Sequence, residues 1–183
     1  PLAQHKFGDA GSTYFFDSYE FTRWFSDSLQ WCYLFGDVTH VPPIPSIVKS
    51  RPIAGDVANS VLLNLDKVRH FTFLKDYIPF RQKMDKAIFR LSITDKPHRR
   101  RFVQMYFGHP MCDTGIISPL PDDPPEWVKK KITLYDHLVY KFVVSLEGND
   151  VATCLKWVMS TNSIAVMPRP TYETWFMEGT LIP

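Results

Sequence analysis

A charge surplus of either sign is missing from this 183-residue chain: 21 Lys and Arg face 19 Asp and Glu, a formal net charge of +2. Bulk electrostatics therefore supply no drive toward nucleic acid or an anionic membrane, and any anion site must be local. No run reaches the ~18 uncharged apolar residues of a membrane-spanning helix, and the first residues lack a basic-then-apolar signal pattern. The chain reads as cytoplasmic, with no nucleic-acid partner. Cys32, Cys112 and Cys154 are odd in number and far apart. They suit neither a disulfide framework nor a metal knuckle, and read as buried free thiols in a reducing compartment. A Walker loop, a G-x-G-x-x-G, an internal repeat and a low-complexity tract are all absent. His40, His70, His98, His109 and His137 show no metal or triad spacing, so each reads as structural.

What is present is the profile of a globular protein, 45% hydrophobic and 15% aromatic. Its length suits one substantial domain or two small ones, large enough to bury a core without a staple. The chain begins at Pro1 without a methionine and stops at Leu181-Ile182-Pro183, directly behind the apolar Thr174-Trp175-Phe176-Met177. That ending predicts a fragment of a longer protein.

Asp17-Ser18-Tyr19-Glu20 has capping-box spacing, and Phe21, Trp24, Phe25 and Ser28 follow at helical intervals, predicting a helix from 17 to about 30. Its rings read as ordinary core, with peripheral contact to an inner membrane leaflet as the functional alternative. Residues 31–35 read as a strand that ends at Gly36-Asp37, and the prolines at 42, 43 and 45 make 41–48 an extended connection. Segments 59–65 and 71–74 follow, the second reading as a buried strand. Residues 77–85 read as a polar linker, which puts a boundary near residue 80.

Beyond it, 87–93 reads as a strand, 98–107 as a helix closed by Gly108, and 114–117 as a strand. The proline-rich 119–125 reads as surface loop, 134–140 as a helix, 141–146 as a strand, 150–160 as an amphipathic helix and 164–167 as a strand. Alternating strands and helices predict an α/β fold with a parallel, doubly wound sheet, whose ligands bind beyond the strand carboxyl ends.

Four places then carry chemistry. Arg99-Arg100-Arg101 stand in the first helical turn, where the macrodipole is already positive. Either a diphosphate gathers them or they pair with the acidic loop at Asp122 and Asp123. Arg90 lies inside a strand and needs an anion unless the strand is an edge open to solvent. Leu146-Glu147-Gly148-Asn149-Asp150 forms a strand-to-helix turn, suited either to sugar hydroxyls or to simple capping. Asp37 at a strand end suits a general base that takes a hydroxyl proton, or plain turn chemistry.

Taken together, Tyr33-Leu34-Phe35-Gly36-Asp37-Val38-Thr39-His40-Val41-Pro42, Lys49-Ser50-Arg51-Pro52, Lys67-Val68-Arg69-His70-Phe71, Tyr140-Lys141-Phe142, Leu146 to Asp150, Leu155-Lys156-Trp157 and Tyr172-Glu173-Thr174-Trp175-Phe176 resemble glycosyltransferase family 90. The likeness is to its bacterial lipopolysaccharide core branch more than to the protein O-glucosyltransferases. The resemblance implies a GT-B-like α/β fold: a Rossmann-like parallel sheet in the carboxyl-terminal half, 81–183, and part of a second Rossmann-like half at 1–80. It implies an inverting hexosyltransferase that uses a UDP-hexose as co-substrate, with no cofactor and no metal, and a lipopolysaccharide core oligosaccharide as acceptor. Asp37 falls on the base. Donor binding falls on Arg90, Ser92, Arg99, Arg101, Glu147, Gly148, Asn149 and Asp150. Two departures stand out: Leu91 replaces a glycine after Phe89-Arg90, and Cys154 replaces a polar residue after Ala152-Thr153. The rival readings are a protein O-glycosyltransferase and an inactive nucleotide- or carbohydrate-binding module.

Overall fold

The computed structural model describes residues 1–5, 12–93 and 95–180. Leu181, Ile182 and Pro183, on which the fragment expectation rests, lie outside them. In chain order the described elements are helix α1 (Ser12–Thr22), strands β1 (Tyr33–Leu34), β2 (Ser46–Val48), β3 (Ser50–Pro52) and β4 (Ser60–Leu62), and helix α2 (Lys67–His70). Then come β5 (Met84–Leu91), α3 (Pro97–Tyr106), β6 (Cys112–Ile116), β7 (Tyr140–Val144), α4 (Cys154–Met159), β8 (Ile164–Val166) and β9 (Tyr172–Thr174).

The chain divides into two compact units. The first comprises Pro1–Thr72, Glu147–Thr153 and Arg169–Pro183, and the second Phe73–Leu146 and Cys154–Pro168. Each carries a parallel sheet.

In the first unit β1, β2 and β4 run parallel with β2 in the centre. β3 pairs antiparallel with β9, and Arg51 on β3 donates to Glu173 on β9 at 2.9 Å. The 17–20 segment lies inside α1 and does not cap it. Asp17 accepts the backbone N–H of Lys67 at 3.0 Å, so a long-range partner at the start of α2 replaces the local one. α1 ends at Thr22, eight residues short of the expected end. Its neighbourhood is less buried than a core: Trp24 is 76% exposed and Phe25 60%. Phe21, Phe25, Leu29 and Trp31 line a cavity of about 450 Å³ with Leu2 and Ile47.

In the second unit the strand order is β6-β5-β7-β8, all parallel. β5 alternates between two apolar layers. Phe89 packs with Val103 of α3, Ile116 and Trp127, while Ile88 packs with Leu138, Val143, Trp157 and Val158. That alternation follows from the period of two along a strand. Leu91 packs against the first layer and Cys154 against the second. The Cys154 thiol donates to Ser145 at 3.4 Å, and burial pushes its pKa up.

Several expectations are corrected here. Residues 71–74 form no strand, and Leu74 instead donates its N–H to Ser160. The stretch 77–85 is ordered: Lys83 is buried, bonded to Asp76 and to the Leu138 carbonyl. The helix expected at 134–140 is a 3-10 turn, Tyr135–Val139. Residues 46–48 of the proline-stiffened connection form the central strand β2 of their sheet. In the proline-rich loop Asp123 is buried, because it accepts the Leu120 N–H and pairs with Arg100. Cys32 is exposed.

Candidate functional site

A parallel sheet sets the ends of its strands side by side, and the first unit uses this. Asp37 follows β1, Lys49 follows β2 and Asp66 follows β4. Gly36, at φ +105°, adopts the left-handed turn that carries the chain from β1 to Asp37. Lys49 is fully buried and donates to Asp37 Oδ1 at 2.5 Å. Its ammonium also lies 2.8 Å from Asp150 Oδ2, on a side chain only 3% exposed. Asn149 donates to Asp37 Oδ2 at 2.9 Å. Arg69 bonds Asp66 at 3.0 Å and reaches to 4.0 Å from Asp37. Ser50, also buried, bonds both the N–H and the carbonyl of Val38 and so pins the residue behind Asp37.

The electrostatics follow from these contacts. Burial works against ionisation of Asp37, but the hydrogen bonds of Lys49 and Asn149, with the charges of Lys49 and Arg69, hold it below its ordinary value. Asp66 moves the other way, because burial outweighs its cationic neighbours. For Lys49 burial is again opposed, and the nearby carboxylates, Asp150 foremost, raise its pKa. A carboxylate at a strand end, ionised, 23% exposed and held at both oxygens, is suited to accept a proton from an incoming hydroxyl.

The other residues of the 147–150 turn have local duties. Glu147 accepts the N–H groups of Thr171 and Tyr172 and the Thr171 hydroxyl, fastening the 169–180 segment. Gly148 donates its N–H to the Asp150 carbonyl, and Asp150 turns inward to Lys49. Asn149 is the exposed side chain of the turn.

The expected arginines belong to the second unit. Arg99 donates to the carbonyls of Ser92 at 3.0 Å and Leu146 at 2.8 Å, at the carboxyl ends of β5 and β7. Arg100 pairs with Asp123 and Arg101 is exposed, so the three arginines part in different directions. Arg90 is buried in the interior strand β5 and turned toward the starts of β6 and β7. It donates to Asp113 at 2.8 Å, and Asp113 also accepts from Lys129 at 2.7 Å and from the Tyr140 hydroxyl at 2.5 Å. Burial opposes ionisation of Asp113, yet these donors and the Arg90 charge hold it far below the carboxylate range. Tyr140 is pushed up to about 12 by burial, its bond to Asp113 and that residue's charge. Arg90, Asp113 and Tyr140 line a cavity of about 420 Å³ with Lys130, Lys131 and Thr133. Gly115 makes room here: a Cβ on it would come within 2.7 Å of the Lys129 side chain and 2.8 Å of Arg90.

Sequence reasoning missed Lys49, Ser50, Asp66 and Asp113. The first pair did stand in one of the family-like blocks, Lys49-Ser50-Arg51-Pro52, but without a role. Among the described residues no three His, Cys, Asp or Glu side chains group as a metal site, and no helix is long and apolar enough to cross a membrane.

No protein-family profile matches the chain. At the level of class, it is similar to a glucosyltransferase. That relative is the O-glucosyltransferase LpsA of Dichelobacter nodosus, 43% identical over 170 residues, which is 93% of this chain and 53% of that protein. The chain thus spans about half the length of the curated relative it matches.

Proposed function

We propose that the protein is a glycosyltransferase that moves a hexose, glucose or galactose, from a uridine diphosphate sugar to a hydroxyl of a lipopolysaccharide core sugar. On this reading it belongs to family 90, has GT-B architecture, inverts the anomeric centre without a metal, and works in the cytoplasm. The observation that carries it is the 43% identity over 170 residues with an enzyme named for O-glucosyl transfer.

Asp37 takes the proton of the acceptor hydroxyl as its oxygen attacks the anomeric carbon. The bond from that carbon to the diphosphate breaks and the leaving group keeps the electron pair. Support for Asp37 comes from its partial exposure and its ionised state. Negative charge growing on the diphosphate suits arginine, whose charge is permanent and whose fork matches phosphate oxygens. Arg99 serves here at the strand carboxyl ends with Ser92 beside it, and the exposed Arg101 of the same helix adds positive charge. Arg90, turned toward the strand starts and held there by Asp113, takes no part in this donor site. Asn149, Gly148 and Glu147 orient donor hydroxyls, with Asp150 behind them. Exposed Trp24 and Phe25 provide peripheral contact with the leaflet that holds an amphiphilic acceptor.

The test is turnover of UDP-glucose and UDP-galactose with a lipid-linked core oligosaccharide, read by product mass and UDP release. Transfer from one donor is expected, with a fall of about 10²- to 10⁴-fold in kcat for Asp37→Asn. UDP binding without transfer from either donor would reduce the protein to a binding module.

A further inference from the structure

We infer that Lys49 is a positioning residue for Asp37: it clamps the carboxylate from the buried side, and because it is shared with Asp150 it sets both the carboxylate's orientation and its affinity for a proton. This rests on the reading of Asp37 as the base.

A lysine with no exposure needs a counter-charge, and here two carboxylates share one ammonium, at 2.5 Å and 2.8 Å. The central strand of the sheet puts it there, since β2 delivers Lys49 beside the loop that β1 delivers. With Lys49 on Oδ1 and Asn149 on Oδ2, the Asp37 carboxylate has no free rotation. The exposed part of the side chain is then presented in a single orientation. Two anions competing for one cation also leave Asp37 more basic than an exclusive ion pair would.

The other charged or titratable groups facing Asp37 are Arg69 of α2, Asp66 at the start of α2, Asp150 and Tyr14 of α1. Arg69 and Lys49 favour the ionised carboxylate, whereas Asp66 and Asp150 oppose it. Removing Lys49 and removing the charge of Asp150 must therefore shift Asp37 in opposite directions. A merely structural ion pair would move the Asp37 midpoint as well, but it would leave kcat and the acid limb of the kcat/KM profile where they are.

The experiment is a carbon NMR titration of the Asp37 carboxyl in the full protein, beside the pH profile of kcat/KM. In Lys49→Met the titration midpoint and the acid limb of the profile should both move up by about one pH unit. kcat should fall about tenfold or more while the donor KM stays within about twofold. Lys49→Arg should restore the midpoint toward the wild-type value. In Asp150→Asn both readouts should move to lower pH, because Lys49 then serves Asp37 alone.

Midpoints that stay put, or that move the same way in Lys49→Met and Asp150→Asn, overturn the inference. If Lys49→Met does not fold, Asp150→Asn decides alone, and an unmoved or raised midpoint rejects the role. Should the midpoints shift in opposite senses while Asp37→Asn keeps full turnover, the base reading fails and the electrostatic coupling stands.

Discussion

Three carboxylates, Asp37, Asp66 and Asp150, surround Lys49 and Arg69 in the first unit, whereas in the second one carboxylate, Asp113, is shared by Arg90, Lys129 and the Tyr140 hydroxyl. Both clusters are built on parallel sheets, with opposite stoichiometry. Where carboxylates outnumber cations, none is fully neutralised, and the partly exposed Asp37 keeps capacity for a proton. Where cations outnumber carboxylates, as along the cavity where Arg90, Lys130 and Lys131 meet Asp113 and Asp136, the balance leans toward an anion. The same residue types thus prepare opposite chemistry.

Asp37→Asn should break the contrast most sharply, since it removes the one group assigned to proton acceptance, and turnover assays read the loss directly. Next comes stability. Lys49→Met leaves Asp150 buried without a counter-charge and should cost about 3–5 kcal/mol by urea denaturation. Lys129→Met should cost no more than about 1 kcal/mol, because that lysine is 39% exposed and Asp113 keeps Arg90 and Tyr140. Equal costs for the two would erase the distinction between a buried clamp and a surface partner.

The pH dependence sharpens it further. Asp113 is depressed in the fold from its ordinary 3.8, so its contribution is present above that value and is lost as pH falls below it. Asp113→Asn should flatten the acid loss measured by denaturation. Tyr140 runs the other way: raised from 10.0 to about 12, it contributes below pH 10 and loses that contribution as pH climbs toward 12. Tyr140→Phe should remove this alkaline slope, the smallest of these effects.

Much of the second unit was legible. The apolar runs at 87–93 and 141–146 and the helical stretch closed by Gly108 appear as β5, β7 and α3, with ends displaced by a few residues. These segments carry their own periodicity and stops. The first unit was harder to read because its strands are only two or three residues long. The Asp17 spacing matched a cap, yet the N–H of Lys67, fifty residues away, took its carboxylate. Asp37 was legible because a glycine turn ends an apolar run. Lys49 was not, since a lysine in sequence carries no mark of burial, and only its two acids make burial tolerable.

Local pattern alone determined that the carboxyl-terminal stretch alternates strands and helices in a parallel sheet, and that Asp37 stands at a strand end, because hydrophobic period and turn residues act over a few neighbours. Tertiary structure alone decided which charges meet. Asp37 and Lys49 are 12 residues apart and Asn149 is 112 from Asp37, and these three touch because strand order and the returning 147–153 segment bring distant stretches of chain together.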